Sequence, residues 1–176
     1  MSKKYAPTQI ALHWGIFILV VLTYASMELR DLLSGTIVTR SVMKTAHYTL
    51  GVSVMVLMVI RIFVKIGHDD PEIVPVPPRW QTIASKSVHG ILYLMFISLP
   101  LLGALSLYFG NVEWSFLGIA MPVSGAKNGV VQHDLKEIHE FIANTGYYLV
   151  GLHAAAALFH HYFMRDNTLI RMMPGK

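Results

Sequence analysis

Four long apolar stretches decide what this chain can fold into. A helix needs about 20 consecutive, mostly apolar residues to cross the hydrocarbon core of a bilayer. Residues about 8–27, 45–64, 88–109 and 138–163 each meet that requirement. The third stretch encloses Pro100, whose missing N–H frees a carbonyl that neighbouring groups must satisfy. The fourth carries Ala154-Ala155-Ala156-Ala157, small enough to let helices approach closely. The first is preceded by Lys3 and Lys4 and followed by Ala25-Ser26, as a signal peptide can be. Its apolar run is too long for an h-region, however, and it holds His13-Trp14, so a retained helix is expected. The expected fold is all-α, an integral membrane four-helix bundle formed as a single domain over residues 1–176.

Composition agrees. Hydrophobic residues make up 54% of the 176 and charged residues 14%, about half the charged share of a soluble domain. There is no cysteine, which excludes disulfides, thiolate-held iron–sulfur clusters and covalent attachment of a c-type haem. Basic residues are spread among the loops and form no nucleic-acid-binding face. Lys3, Lys4, Arg61, Lys65, Arg79, Lys86, Arg165, Arg171 and Lys176 fall on one side of the four spans; Arg30, Arg40, Lys44, Lys127 and Lys136 fall on the other. Nine against five places both termini in the cytoplasm by the positive-inside rule. Of the connections, 28–44 is short and mixed, and 68–80 is proline-rich and cannot be helical throughout. Residues 110–137 form the longest loop; their apolar content, with Trp114, Phe116 and Leu117, suits the membrane interface or a cap on the bundle.

Nine histidines in so apolar a chain are its chemical signal, because polar groups inside a bilayer are costly. His68 and His133 lie in connections. His139 and His153 share the fourth stretch, 14 residues apart, which is roughly 21 Å along a helix axis and about 40° around it. They therefore face one stripe, one towards each membrane surface. His13 enters the first helix near the cytoplasmic side, at the depth of His153. His47 enters the second from the other side, at the depth of His139. Two facing imidazoles at one depth suit a low-spin bis-histidine haem b held without a covalent bond, and two such pairs suit two haems stacked between the helices. His89 enters the third helix at a depth close to that of His13 and is its rival as the cytoplasmic ligand. Gly51, Gly90, Gly103, Gly146 and Gly151 could leave room for a porphyrin. Arg61, Lys65, Arg40 and Lys44 could pair with propionates. His89, His160 and His161 lie where an imidazole can bond a quinone carbonyl, or a propionate, and relay a proton.

Several segments resemble the bacterial cytochrome b561 family. They are Gln9-Ile10-Ala11-Leu12-His13-Trp14, Ala46-His47-Tyr48, His139-Glu140, the long run Gly151-Leu152-His153 through His160-His161-Tyr162-Phe163, and the tail Asp166-Asn167-Thr168-Leu169-Ile170-Arg171-Met172-Met173-Pro174. The resemblance covers essentially the whole chain, and the fourth-helix motif is its most specific part. It implies a dihaem cytochrome b of the bacterial inner membrane, with haem ligands at His13, His47, His139 and His153. Its nearest branch implies a superoxide oxidase, which takes electrons from superoxide on the periplasmic side and passes them to ubiquinone. Arg40, Lys44 and Lys136 lie on that side and could steer the anion, diluted by Glu28, Asp31, Glu113, Asp134 and Glu137. The competing reading is an electron-transfer subunit linking a hydrogenase or dehydrogenase partner to quinone; such a partner is compatible with the sequence but not required by it. A histidine-lined metal transporter ranks below both, because the helix interiors offer almost no carboxylates to complete a site.

Overall fold

The computed structural model describes residues 4–32 and 37–175. Lys3 and Lys176 of the charge count, and the side chain of Asp31, lie outside the described residues. Four helices dominate: α1 (Pro7–Leu32), α2 (Ile37–Ile66), α3 (Arg79–Phe109) and α4 (Gly129–Phe159). Three of them, over Pro7–Arg30, Thr39–Ile66 and Arg79–Phe109, are long and apolar enough to cross a membrane. At 31 residues α4 is as long as α3, but its first third is polar, and Asn144, Tyr147, Tyr148 and His153 dilute the rest.

The helices outrun the apolar stretches that announced them. Pro77-Pro78 end the preceding loop, and the N–H groups of Gln81 and Thr82 already donate to the Pro78 carbonyl at 3.0 and 3.3 Å, so α3 starts at Arg79. Asn128 caps α4, its side-chain oxygen accepting the Val131 N–H at 3.2 Å. The expected loop 110–137 thus shrinks to 110–128, because residues 129–137, with five polar or charged side chains between Gln132 and Glu137, continue the helix outside any apolar window. What is left holds a small hairpin, β1 (Ser115–Phe116) antiparallel to β2 (Ile119–Ala120). Its turn places Leu117 and Gly118 at φ 50° and 84°, the positive values a two-residue I′ turn needs.

Neighbours in sequence are neighbours in space: α1 packs on α2, α2 on α3 and α3 on α4. Ile16 and Val20 of α1 bury against Val54 and Met58 of α2. Leu92, Met95 and Leu99 of α3 bury against Ile142, Ala143 and Val150 of α4, and Phe96 joins both clusters. Phe17, Phe63, Leu94, Phe141 and Tyr148 point outward, as suits helices whose outer faces meet lipid. Between α1 and α4 the approach is close at Gly146, where a Cβ would collide with the Tyr24 hydroxyl. That hydroxyl donates to the Ala143 carbonyl at 2.8 Å.

One end of the bundle is knotted by the tail. The last turn of α4 widens into a π-helix over His160–Met164. Arg165 then takes a left-handed φ of 54° and turns Asp166 back onto His160. Beyond it, the Trp14 indole donates to the Met172 carbonyl at 2.8 Å. Arg171 donates to the Pro71 carbonyl and lies over the Tyr5 ring. Asn167 bonds the backbone of Glu72 and Val74. Both ends of the described chain and the 68–78 connection therefore sit together, as the charge count requires.

Candidate functional site

Two histidine pairs bridge α4 to its neighbours. His13 of α1 faces His153 with ring centroids 6.1 Å apart and planes at 72°. His47 of α2 faces His139 with centroids 6.1 Å apart and planes at 73°. A metal–imidazole bond is about 2.0 Å and a ring nitrogen lies about 1.1 Å from its centroid, so two imidazoles on one metal atom have centroids about 6.2 Å apart. Both pairs match that spacing. His89 stands closer to His153, at 5.2 Å. That is about 1 Å less than two imidazoles on one metal atom need. The two rivals at one depth thus differ in their spacing to His153.

The second shell fits as well. The His47 Nδ1 donates to the Thr23 carbonyl at 3.1 Å, with Ser26 Oγ 3.4 Å away. The His139 Nδ1 donates to the Leu99 carbonyl at 2.8 Å. A carbonyl only accepts, so each Nδ1 carries the proton and each Nε2 keeps its lone pair, the arrangement found behind metal-binding histidines. Around this pair lies a cavity of about 670 Å³, walled by Gly51, Phe96, Leu99 and Gly103 and edged by Arg30, Lys44 and Lys136. A Cβ on Gly51 would meet nothing within 4 Å, whereas one on Gly103 would lie 3.4 Å from the His139 ring. These residues fit a flat, carboxylate-bearing cofactor, which His47 and His139 would hold.

Comparison with known proteins agrees with the geometry. The family described as prokaryotic cytochrome b561 matches this chain over residues 4–175. The chain belongs to the prokaryotic cytochrome b561 family. It is 44% identical over 174 residues to cytochrome b561 homolog 1 of Escherichia coli (strain K12), covering 99% of each chain. It is 39% identical to the protein named "Probable superoxide oxidase CybB" of Yersinia pestis, over 100% of this chain and 99% of the other. It is 29% identical to cytochrome b562 of Cereibacter sphaeroides, over 96% and 94% of the two chains. This cytochrome is therefore a bacterial membrane electron-transfer protein of a family that implies haem b.

The other histidines of the cytochrome divide by environment. His68 is exposed, and exposed His133 lies 3.7 Å from Asp134 and 3.8 Å from Glu137. His160 Nδ1 bonds the buried Asp166 carboxylate at 2.5 Å. Burial alone would raise the Asp166 carboxyl, but hydrogen bonds from His160 and Thr168 outweigh it and hold the group below its ordinary 3.8. His161 is half-buried against Tyr162, and its Nδ1 has no hydrogen-bond partner among the described residues. Of the three cations expected to steer an anion, Lys44 and Lys136 line the cavity and exposed Arg40 does not. Lys136 is also ion-paired with Glu140 at 3.0 Å.

Sequence reasoning missed the Asp166 partner of His160, the backbone acceptors at Thr23 and Leu99, and the Tyr147 hydroxyl, which donates to Glu28 at 2.8 Å. Asp166 had a signal, being an acid six residues after a histidine in a tail otherwise poor in acids. A backbone carbonyl carries none.

Proposed function

We propose that this cytochrome is a superoxide oxidase of the bacterial inner membrane. In this reading it is a four-span bundle with cytoplasmic termini that carries electrons from superoxide on the outer side to ubiquinone. His13 and His153 hold one haem b, and His47 and His139 hold the second. One observation carries the reading: two histidine pairs, 14 residues apart along α4, each at the spacing of two imidazoles on one iron. Because α4 serves both pairs, it runs the same depth as α1 and α2, which supports it as the fourth span despite its lower hydropathy.

A bound haem supplies a one-electron ferric/ferrous couple, and bis-histidine ligation closes the iron to oxygen. The chain does the rest. Thr23 and Leu99 fix the ligand tautomers on the outer side. Lys44 and Lys136 edge the outer cavity with positive charge that attracts an anion. His89, His160 and His161 lie at the other end, where an imidazole can bond the quinone oxygens and deliver protons. The overall chemistry balances: two superoxide anions each lose one electron and become dioxygen, and ubiquinone takes up those two electrons and two protons. The choice of superoxide is supported by the name of the Yersinia pestis relative, 39% identical over its full length.

The test is a stopped-flow assay on the purified chain, with superoxide as the only reductant and a short-chain ubiquinone as acceptor. Haem reduction followed by ubiquinol formation, abolished by superoxide dismutase, is expected. Failure of superoxide to reduce the haems, together with rapid reduction by a co-purified dehydrogenase or hydrogenase, would replace the enzyme reading with that of an electron-transfer subunit.

A further inference from the structure

We infer that Arg61, oriented by Tyr93, is the carboxylate anchor for the haem held by His13 and His153, and that it raises that haem's midpoint potential. The inference rests on the proposed haem sites and adds a residue that ligand spacing does not reveal.

Arg61 lies inside the apolar span Thr39–Ile66 and is half-buried. A half-buried guanidinium near the end of a span needs partners for its donors. Its Nε donates to the Tyr93 hydroxyl at 3.1 Å, a neutral acceptor from α3. Among the described residues, no carboxylate of the chain forms an ion pair with it. Lys65, one turn further along α2, differs in this respect: it is paired with Asp70 at 2.7 Å. The Tyr93 bond uses the guanidinium's Nε–H, and the two terminal nitrogens form the planar fork that suits a carboxylate.

The position is specific. Arg61 lies within electrostatic range of His13, His153 and His89, at the end of the bundle that also holds Tyr5 and Asp70. Tyr93 follows His89 by four residues on α3 and shares its helix face. A b haem brings two carboxylates to a corner where Asp70 is already paired with Lys65 at 2.7 Å. Desolvated pairing of this kind also bears on redox balance. Reduction adds one electron to the site, and a fixed positive charge nearby stabilises the reduced form. At about 10 Å and an effective dielectric constant of about 20, one unit charge changes the reduced-to-oxidised ratio on the order of tenfold.

Redox titration of the wild-type chain, R61Q, R61K and Y93F, with the two haems resolved spectrally, tests the assignment. In R61Q the reduced-to-oxidised ratio of one haem at fixed poise is expected to fall roughly tenfold, with the other haem unmoved. R61K should fall between, and Y93F should shift less in the same direction. Redox-difference infrared spectra with haem labelled at the propionate carbons give a second readout. Their carboxylate bands should move in R61K and stay in place in K65Q. Equal shifts of both haems, or no shift in R61Q and unmoved bands in R61K, would overturn the assignment. If R61Q loses one haem, the R61K titration and bands decide in the same way. A wild-type chain without haem would instead remove the underlying reading itself.

Discussion

The imidazole of His139 packs so closely on residue 103 that a side chain larger than a methyl group would contest its space. A Cβ on Gly103 would lie 3.4 Å from its Cε1, while its Nδ1 is tied to the Leu99 carbonyl one turn earlier on the same helix. Residues 99 to 103 of α3 thus set both the reach and the tautomer of one ligand. Pro100 lies between them and helical geometry continues through it.

Substituting Gly103 tests that fit. Alanine should be tolerated, since a few tenths of an ångström of ring movement relieve the contact. Gly103→Val should displace His139, cost about 1–3 kcal/mol and remove the outer haem while sparing the other. Haem per chain and thermal melting in detergent measure both effects; two haems and an unchanged melt in Gly103→Val would refute it.

The histidine pairs make a sharper expectation. His153→Ala and His139→Ala should each reduce haem content from two per chain to one, and the double variant should bind none. His89→Ala should keep both, because its 5.2 Å spacing to His153 is about 1 Å less than two imidazoles on one metal atom need. Loss of a haem from His89→Ala with retention in His13→Ala would reverse the ligand assignment.

Asp166→Asn should loosen the tail knot by about 1–3 kcal/mol, since it weakens a buried hydrogen bond to His160. The pH dependence has a definite sign. The folded-state carboxyl lies below its ordinary 3.8, so its stabilising contribution is complete above that value and is lost as pH falls through the lower folded value. The stability gap between wild type and Asp166→Asn should be constant from about pH 7 to 5 and should close below about pH 4. Melts across this range check it; a gap that widens on acidification would contradict it.

Neutralising the outer cations should slow an anionic donor. Lys44→Gln with Lys136→Gln is expected to lower the rate of haem reduction by superoxide about tenfold at low salt and to flatten its ionic-strength dependence. Lys136→Gln alone should do less, because exposed Lys136 already shares its charge with Glu140 at 3.0 Å. An unchanged rate in the double variant would remove any steering role.

Hydropathy made α1, α2 and α3 legible, because their apolar faces point outward as well as inward, as in Phe17, Phe63 and Leu94. It placed the starts of α2, α3 and α4 eight or nine residues late, because charged and polar residues such as Arg40, Lys44, Arg79, Gln81, His133 and Asp134 interrupt the apolar run inside each helix. The pairing of His13 with His153 and of His47 with His139 was legible because helical rise and matched depth fix which imidazoles can meet. The different spacings of His13 and His89 to His153 were not, since both lie at one depth and only the lateral packing of α1 and α3 around α4 separates 6.1 from 5.2 Å. The Arg61–Tyr93 contact was equally hidden, being a meeting of two helices with no sequence spacing to announce it.

If each histidine pair holds a haem, as proposed, the purified chain carries two. A pyridine haemochrome assay on the purified chain, expressed with ample haem and read against protein concentration, tests it most directly. Two b haems per chain are the expected result. A single haem would leave one 6.1 Å pair without its iron, and none would contradict the account at its root.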